Sequence, residues 1–249
     1  MSCRLVTIQQ QPELADRVSD LIEKSWPQFM LQDPIGNKHW NRLYADFPEC
    51  QVIMLDGDEV IGQGNTIPIR WDGPSEQLPD QGWDWAFIRG VEGYDQGRAP
   101  THLTGLQIVI DPGYQGRRLS SQFVEHFRGV AQAKGLSRLV IPLRPTRKHQ
   151  YPLTPMDRYI TWTRQGLPFD PWLRIHARAG ARIVKSCPES MTITGSIQDW
   201  ETWTGMAFPD SGSYIVPGAL MPVQIDRGAD QGTYIEPNVW VEHEVSGSS

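Results

Sequence analysis

Leu106-Gln107-Ile108-Val109-Ile110-Asp111-Pro112-Gly113-Tyr114-Gln115-Gly116-Arg117-Arg118-Leu119-Ser120-Ser121 is the stretch whose reading decides the fold. Its first five residues are mostly apolar, two of them isoleucine and one valine, and read as a strand. Asp111-Pro112-Gly113 stops that strand, because proline supplies no N–H and glycine tolerates φ > 0. Leu119, Phe123, Phe127, Val130 and Ala131 then recur at helical spacing, and Lys134-Gly135 close the helix. The unit is a strand, a short Gly/Arg loop and an amphipathic helix. A helix start leaves N–H groups unpaired and carries partial positive charge, so it suits a phosphate. Two arginines stand at that point.

The stretch resembles motif A of the GNAT acyltransferases, Gln/Arg-x-x-Gly-x-Gly/Ala, whose loop cradles the pyrophosphate of coenzyme A. Ile108-Val109-Ile110-Asp111-Pro112 and Tyr114-Gln115-Gly116-Arg117 carry the match. The motif's two small positions fall on Arg118 and Ser120. Serine still allows close approach, whereas arginine either obstructs the usual phosphate pose or adds a cation to it. The resemblance implies that Ile108, Val109 and Ile110 offer main-chain groups to the pantetheine arm. It also implies a phosphate site made of Gln115, Gly116, Arg117, Arg118, Leu119, Ser120 and Ser121. The alternative is an ordinary tight turn with solvated arginines, since an isolated motif is only a hypothesis.

At 249 residues, with 39% apolar and 21% charged side chains, the chain can bury a sizeable core. A net charge of −6 argues against nucleic acid as main partner. Cys3, Cys50 and Cys187 are widely spread without a CxxC, which fits reduced thiols in a cytoplasmic protein rather than a disulfide framework or zinc site. Met1 to Leu5 lack the apolar run of a signal peptide, and no run is long enough to span a membrane. Ten tryptophans fit a core that includes a deep apolar pocket.

The order of elements agrees with the motif. Residues 3–8 read as a strand, and Leu14, Val18, Leu21 and Ile22 line a helix that begins at Pro12 and ends near Trp26-Pro27. A second helix covers residues 39–47, and residues 51–55 and 59–67 form a hairpin about Asp56-Gly57-Asp58. Residues 72–100 read as an insertion beside the pocket, loop-like except for a short helix at residues 83–91. Beyond the central helix come a strand at 138–143, a proline-rich stretch, and helices at 157–164 and 171–179. Strands at 181–186 and 191–197 flank Cys187-Pro188, residues 199–204 make a helical turn, and strands at 214–216, 222–225 and 233–241 close the sheet. The expected fold class is α/β (α+β): a GNAT fold with a mixed, mostly antiparallel sheet, splayed at its centre, and helices on both faces. It occupies residues 1–249 as one domain, with 244–249 a loose tail.

The middle section, from Arg144-Pro145-Thr146 through Pro168-Phe169-Asp170-Pro171-Trp172 to His176, and Glu236-Pro237-Asn238-Val239-Trp240 are similar to a GNAT-like subgroup that includes polyketide synthase loading domains. Those domains handle malonyl and acetyl thioesters on coenzyme A or an acyl carrier protein. The resemblance implies Thr146 and His176 as a polar catalytic pair and Trp40 as part of the pocket wall. Each has a plainer reading: Thr146 as a turn former, His176 as a structural helical histidine, Trp40 as core. Tyr151 and Tyr159 are the nearby tyrosines for protonating a departing thiolate. The leading expectation is acyl transfer from a thioester of coenzyme A, acetyl-CoA or malonyl-CoA, or of an acyl carrier protein, with a metal-free site, no nucleic acid and no membrane. Malonyl-thioester decarboxylation is the runner-up, and a non-catalytic acyl-CoA sensor is a third reading.

Overall fold

The structure is a computed structural model that describes residues 3–245, the side chains of residues 19 and 20 excepted. Apolar runs bounded by turns build a sheet from both ends of the chain. β1 (Cys3–Thr7) pairs antiparallel with β2 (Gln51–Asp56). Between them the expected first helix is split into a 3-10 segment, Pro12–Arg17, and α1 (Ser19–Ser25). After a second 3-10 segment, Gln28–Gln32, α2 (Pro34–Asp46) starts five residues before the expected His39. Asp33 caps it by accepting from Gly36 N at 2.6 Å, with Pro34 in the first turn. β2 turns through Asp56-Gly57-Asp58 into β3 (Glu59–Ile69), as the hairpin signal required.

Residues 72–100 are more regular than expected, the short helix at 83–91 being longer at both ends. They contain α3 (Gly82–Asp95), fourteen residues long with Trp83, Ala86, Phe87 and Val91 buried. Its glycines suggested broken chain because glycine disfavours helices. Gly90 instead permits close packing: a Cβ there would lie 2.4 Å from Ile67 Cδ1 and 2.5 Å from Ile67 Cγ1.

β4 (His102–Ile110) leads through the central loop to α4 (Leu119–Ala133), which buries Leu119, Phe123, Val124, Phe127 and Ala131. Phe123 and Phe127 lie over Gly64 of β3, so α4 covers the face opposite the one α3 covers at Ile67. Burying each phenylalanine contributes about 1.5–3 kcal/mol. β5 (Arg138–Leu143) follows.

The expected helix at 157–164 shrinks to α5 (Met156–Tyr159) and a small hairpin, β6 (Thr163–Arg164) with β7 (Leu167–Pro168). Gln165 and Gly166 both have positive φ, the combination a two-residue hairpin turn needs. α6 (Pro171–Arg178) is as expected. The two strands expected around Pro188 are one, β8 (Arg182–Gly195). Its register against the last strand shifts between Cys187 and Met191, opposite Pro237, so the proline without a donor falls in a bulge. α7 (Ile197–Thr204) is a full helix started by a Ser196/Asp199 capping box.

β9 (Gly212–Tyr214), β10 (Val223–Asp226) and β11 (Gln231–Glu244) complete the sheet. The order is β1-β2-β3-β4-β5-β11-β10-β9, with β8 also on β11, and β4–β5 is the parallel pair. Glu244 therefore belongs to a strand, and residues 246–249 of the expected tail lie outside the described residues.

Gly90→Ala tests the reading of α3. Helix propensity alone favours alanine by roughly 0.5–1 kcal/mol. Ile67 is fully buried and β-branched, so crowding should win. Urea unfolding is expected to show a net loss of about 1–3 kcal/mol.

Candidate functional site: a cleft where two parallel strands part

β4 and β5 pair only at His102–Thr104 against Arg138–Val140. Leu106 then bulges out of the β3–β4 ladder: Thr66 faces Gly105 and Asn65 faces Gln107. β5 runs on beside β11 alone, pairing Ile141 with Val241 and Leu143 with Val239. Residues 107–110 thus have a strand partner on the β3 side alone. Asp111 N donates to Ile61 O at 2.9 Å, so alternation turns the main-chain groups of Ile108 and Ile110 to the open edge. The gap is a cleft of about 1310 Å³.

One end of the cleft is the start of α4. Asp111 accepts from Gly113 N at 2.8 Å and sets the turn; Gln115 Nε2 donates to Ile110 O at 3.2 Å. Gly116 (φ 79°) and Arg118 (φ 61°) bend the chain left-handed into the helix. Arg118 holds one of the motif's small positions, and that conformation explains why glycine is usual there. Among the described residues the amides of Gly116, Arg118, Leu119 and Ser120 have no acceptor. Ile108, Val109, Ile110, Gln115, Gly116, Arg118, Leu119 and Ser120 line the cleft. Arg117 and Ser121 do not. Arg117 donates to Gly113 O at 3.1 Å and lies over the Tyr114 ring, 4.6 Å from its centre.

The other end is acidic. Trp83 Nε1 donates to Leu106 O at 2.8 Å, which brings the start of α3 to the bulge. There Asp33 is 3% exposed, with the Asp84 carboxyl as its neighbour. Asp33 Oδ2 and Asp84 Oδ1 are buried and receive no donor from the rest of the described chain. Burial, and next the Asp33 charge, push Asp84 up to about 8. Burial also raises Asp33, against the opposing N–H of Gly36. Glu236 is fully buried nearby but satisfied: Arg144 Nε reaches both its oxygens at 2.9 Å, Tyr234 OH donates at 3.0 Å, and Asn238 Nδ2 at 3.1 Å. Trp40, half-buried and edge-on to Phe87, lines the wall between α2 and α3.

Thr146 and His176 do not meet. Thr146 lies at the cleft mouth, its N–H 3.3 Å and its hydroxyl 3.5 Å from Asp170 Oδ1. Asp170 is the hub of this segment, also accepting from Arg147 N, Trp172 N, Leu173 N and Tyr159 OH. His176 is fully buried behind Trp172 and does not line the cleft; its Nδ1 is 2.8 Å from His243 Nε2. Burial, and then His243, lower His176 to about 3; burial, and then Arg128, lower His243 to about 4. Tyr151 and Tyr159 are packed into an aromatic cluster with Trp162 and Phe169. Cys50 and Cys187 are buried thiols, both pushed up to about 12 by desolvation.

No protein-family model matches the chain. The arginine N-acetyltransferase avaD of Aspergillus versicolor is 32% identical over 250 residues, 88% of this chain and 85% of that relative. This chain belongs to the GNAT acyltransferases. Two solved structures share the fold. The loading GNAT-like domain of CurA from Lyngbya majuscula is 20% identical with a TM-score of 0.66, covering 98% of both chains. The GphF GNAT-like decarboxylase in complex with isobutyryl-CoA is 16% identical with a TM-score of 0.56, covering 99% of this chain and 100% of that one.

The reading of this GNAT chain from sequence overlooked Asp33, Asp84 and Asp170. Asp33-Pro34 and Asp170-Pro171 are both cap-plus-proline pairs, a legible helix start. Asp84 left no local mark, because what matters is a partner 51 positions away.

His176 and His243 are neutral in the fold, whereas an unfolded histidine takes a proton below about pH 6.5. The stability that depends on their neutrality is complete above that pH and is lost as pH falls toward their folded values. His176→Gln keeps a donor for His243 and removes one of the two protons. Its unfolding free energy is expected to change with pH less steeply than wild type, by about 1.4 kcal/mol per unit between pH 5 and 6. Urea titrations at several pH values measure this.

Proposed function

We propose that this GNAT enzyme transfers an acetyl group from acetyl-CoA to a nitrogen of arginine or a close arginine derivative. The observation that carries the reading is the one-sided bonding of β4, which runs from the free amides at the start of α4 to the acidic end of the cleft. A pantetheine arm adds to such an edge as a short strand does. The pyrophosphate then meets the amides of Gly116, Arg118, Leu119 and Ser120 and the Arg118 guanidinium. The thioester reaches the bulge at Leu106, about 13 Å along the strand from Ile110. The acceptor nitrogen attacks the thioester carbonyl there, an N–C bond forms, the C–S bond breaks, and the thiolate leaves as coenzyme A takes up a proton. The arginine substrate is suggested by the avaD relative and fits the acidic wall.

Decarboxylation of malonyl thioester fits less well. A malonyl carboxylate would lie against Asp33 and Glu236, and His176 is not placed to hold an enolate. A donor borne by a carrier protein would present the same pantetheine arm, so the donor is best assigned by direct competition. The test is thiol release and product mass with acetyl-CoA, malonyl-CoA and carrier-bound acetyl groups, each with arginine and its neutral isostere citrulline. Acetyl-CoA with arginine should give N-acetylarginine, and citrulline should be a poor acceptor. Conversion of malonyl to acetyl thioester without an acceptor would overturn the reading.

The phosphate end makes its own prediction. Arg118→Ala should weaken coenzyme A binding on the order of tenfold or more, as loss of a charge-assisted contact does. Arg117→Ala should leave affinity nearly unchanged, because that side chain is turned onto Tyr114. Calorimetric titration with coenzyme A distinguishes the two.

A further inference from the structure

We infer that Asp33 and Asp84 form the subsite for the acceptor's guanidinium, and that the cation enters in exchange for the proton the two carboxyls share. The inference rests on the function proposed above and goes beyond it by assigning residues and a proton balance to the recognition of the charge. Two carboxylates offer acceptors only. Asp33 Oδ2 and Asp84 Oδ1 are buried without a donor, so a single proton between them is what satisfies both in the empty site. A planar guanidinium carries paired N–H donors and fits two carboxylates in place of that proton.

The surrounding elements hold the pair ready for this role. From α2, the amides of Ile35 and Gly36 are directed at Asp33, and Gly36 N occupies Oδ1. From β8, Thr192 N donates to Asp84 Oδ2 at 3.3 Å. From β11 the ionisable neighbour is Glu236, whose charge raises both carboxyls while Arg144 and Tyr234 occupy its oxygens. Every other acceptor is thus engaged, and the two oxygens left without donors belong to Asp33 and Asp84. Asp33 lines the cleft and is 3% exposed, so a ligand reaching it is removed from competing water. Among the described residues no cluster of His, Cys, Asp and Glu has the arrangement of a metal site.

The proton balance gives a sign. Guanidinium keeps its charge throughout the usual pH range, so the titrating partner is the carboxyl pair. Below the pH at which the pair gives up its proton, the proton competes with the cation. Affinity for the acceptor should therefore rise with pH until the pair has given up its proton, burial and the Asp33 charge having pushed Asp84 up to about 8.

Asp84→Asn is the discriminating variant. Its amide can donate to Asp33 Oδ2 as the shared proton does, so it copies the empty state but cannot release the proton. Melting temperature checks that it folds. Agmatine, which carries the guanidinium without a carboxylate, is titrated calorimetrically into the coenzyme A-loaded enzyme in two buffers of different ionisation enthalpy. Wild type at pH 7 should release a proton, up to one per agmatine bound. Asp84→Asn should release none and bind on the order of tenfold more weakly or worse. In turnover, its KM for arginine should rise by a similar factor, and its preference for arginine over citrulline should narrow. Agmatine binding by wild type without proton release, or wild-type affinity in Asp84→Asn, would overturn the inference. Acetylation of arginine with an unaltered KM in Asp84→Asn would remove the subsite and leave the proposed function standing. Proton-linked agmatine binding by an enzyme that does not acetylate arginine would do the reverse.

Discussion

The parting of β4 from β5 is the constraint on which the rest of the structure depends. Three residues of each strand pair in parallel, and the bulge at Leu106 then breaks the alignment. Had β5 continued along β4 to Ile110, the strand would be paired on both edges and there would be no cleft. β11 pairs the other edge of β5 along its whole length, from Arg138 to Leu143, so β5 stays in the sheet where it leaves β4. An unpaired buried main-chain group costs about 1–3 kcal/mol, so an edge left open in this way calls for a ligand or water to complete it. α4 links the two strands as a crossover helix must, and its first turn arrives at the mouth of the gap.

The elements that frame this arrangement were legible in the sequence because their signals are local, whereas the parting itself was implied only by the family resemblance. The strand–loop–helix unit from Leu106, the Asp56-Gly57-Asp58 hairpin and the Pro171 helix each declare themselves within a few residues. What escaped depends on contacts far apart in the chain. Gly90 and Gly93 looked like breaks in a loop, yet Gly90 is the price of seating α3 on Ile67. Pro188 looked like the gap between two strands, yet Pro237 opposite makes it a bulge in one. His176 stands at a plausible position on α6, but helical phase alone cannot say that it packs against Trp172 and His243 and does not line the cleft. Arg117 and Arg118 are neighbours with similar side chains; only the left-handed backbone at Arg118 turns one into the cleft and the other onto Tyr114.

The buried charges divide into two kinds. Glu236 and Arg144 are a completed pair: the guanidinium also donates to Gly218 O at 2.6 Å and sits 5.6 Å from the Trp26 ring centre. Removing either partner would strand the other in a low-dielectric interior. Lys148 is likewise completed, though by carbonyls: its Nζ reaches Tyr151 O at 2.9 Å and Leu220 O at 2.6 Å, and burial lowers it to about 8. Together Arg144 and Lys148 tie the segment after β5 to residues 218–220 and so fix one wall of the cleft. Asp33 and Asp84 are of the second kind, with acceptor capacity that the chain itself leaves over. Groups that hold a fold together are paired within it; groups that take a charged ligand must keep capacity in reserve.

The two ends of the cleft are therefore opposite in polarity, and the proposed reaction uses this to seat its two substrates. The start of α4 contributes partial positive charge and Arg118 a full one, whereas the far end is lined by Asp33 and Glu236, with Asp84 beside Asp33. The two ends are separated by roughly 13 Å of β4, counted from Ile110 to Leu106. A polyanionic donor placed backwards would set phosphates against carboxylates, and a cationic acceptor placed at the loop would meet Arg118. Both errors bring like charges together, in a site where the low-dielectric walls strengthen the repulsion. Orientation is thus decided before any contact with the reacting atoms is made, and the bulge at Leu106, which lies at the acidic end, is where the two substrates can meet.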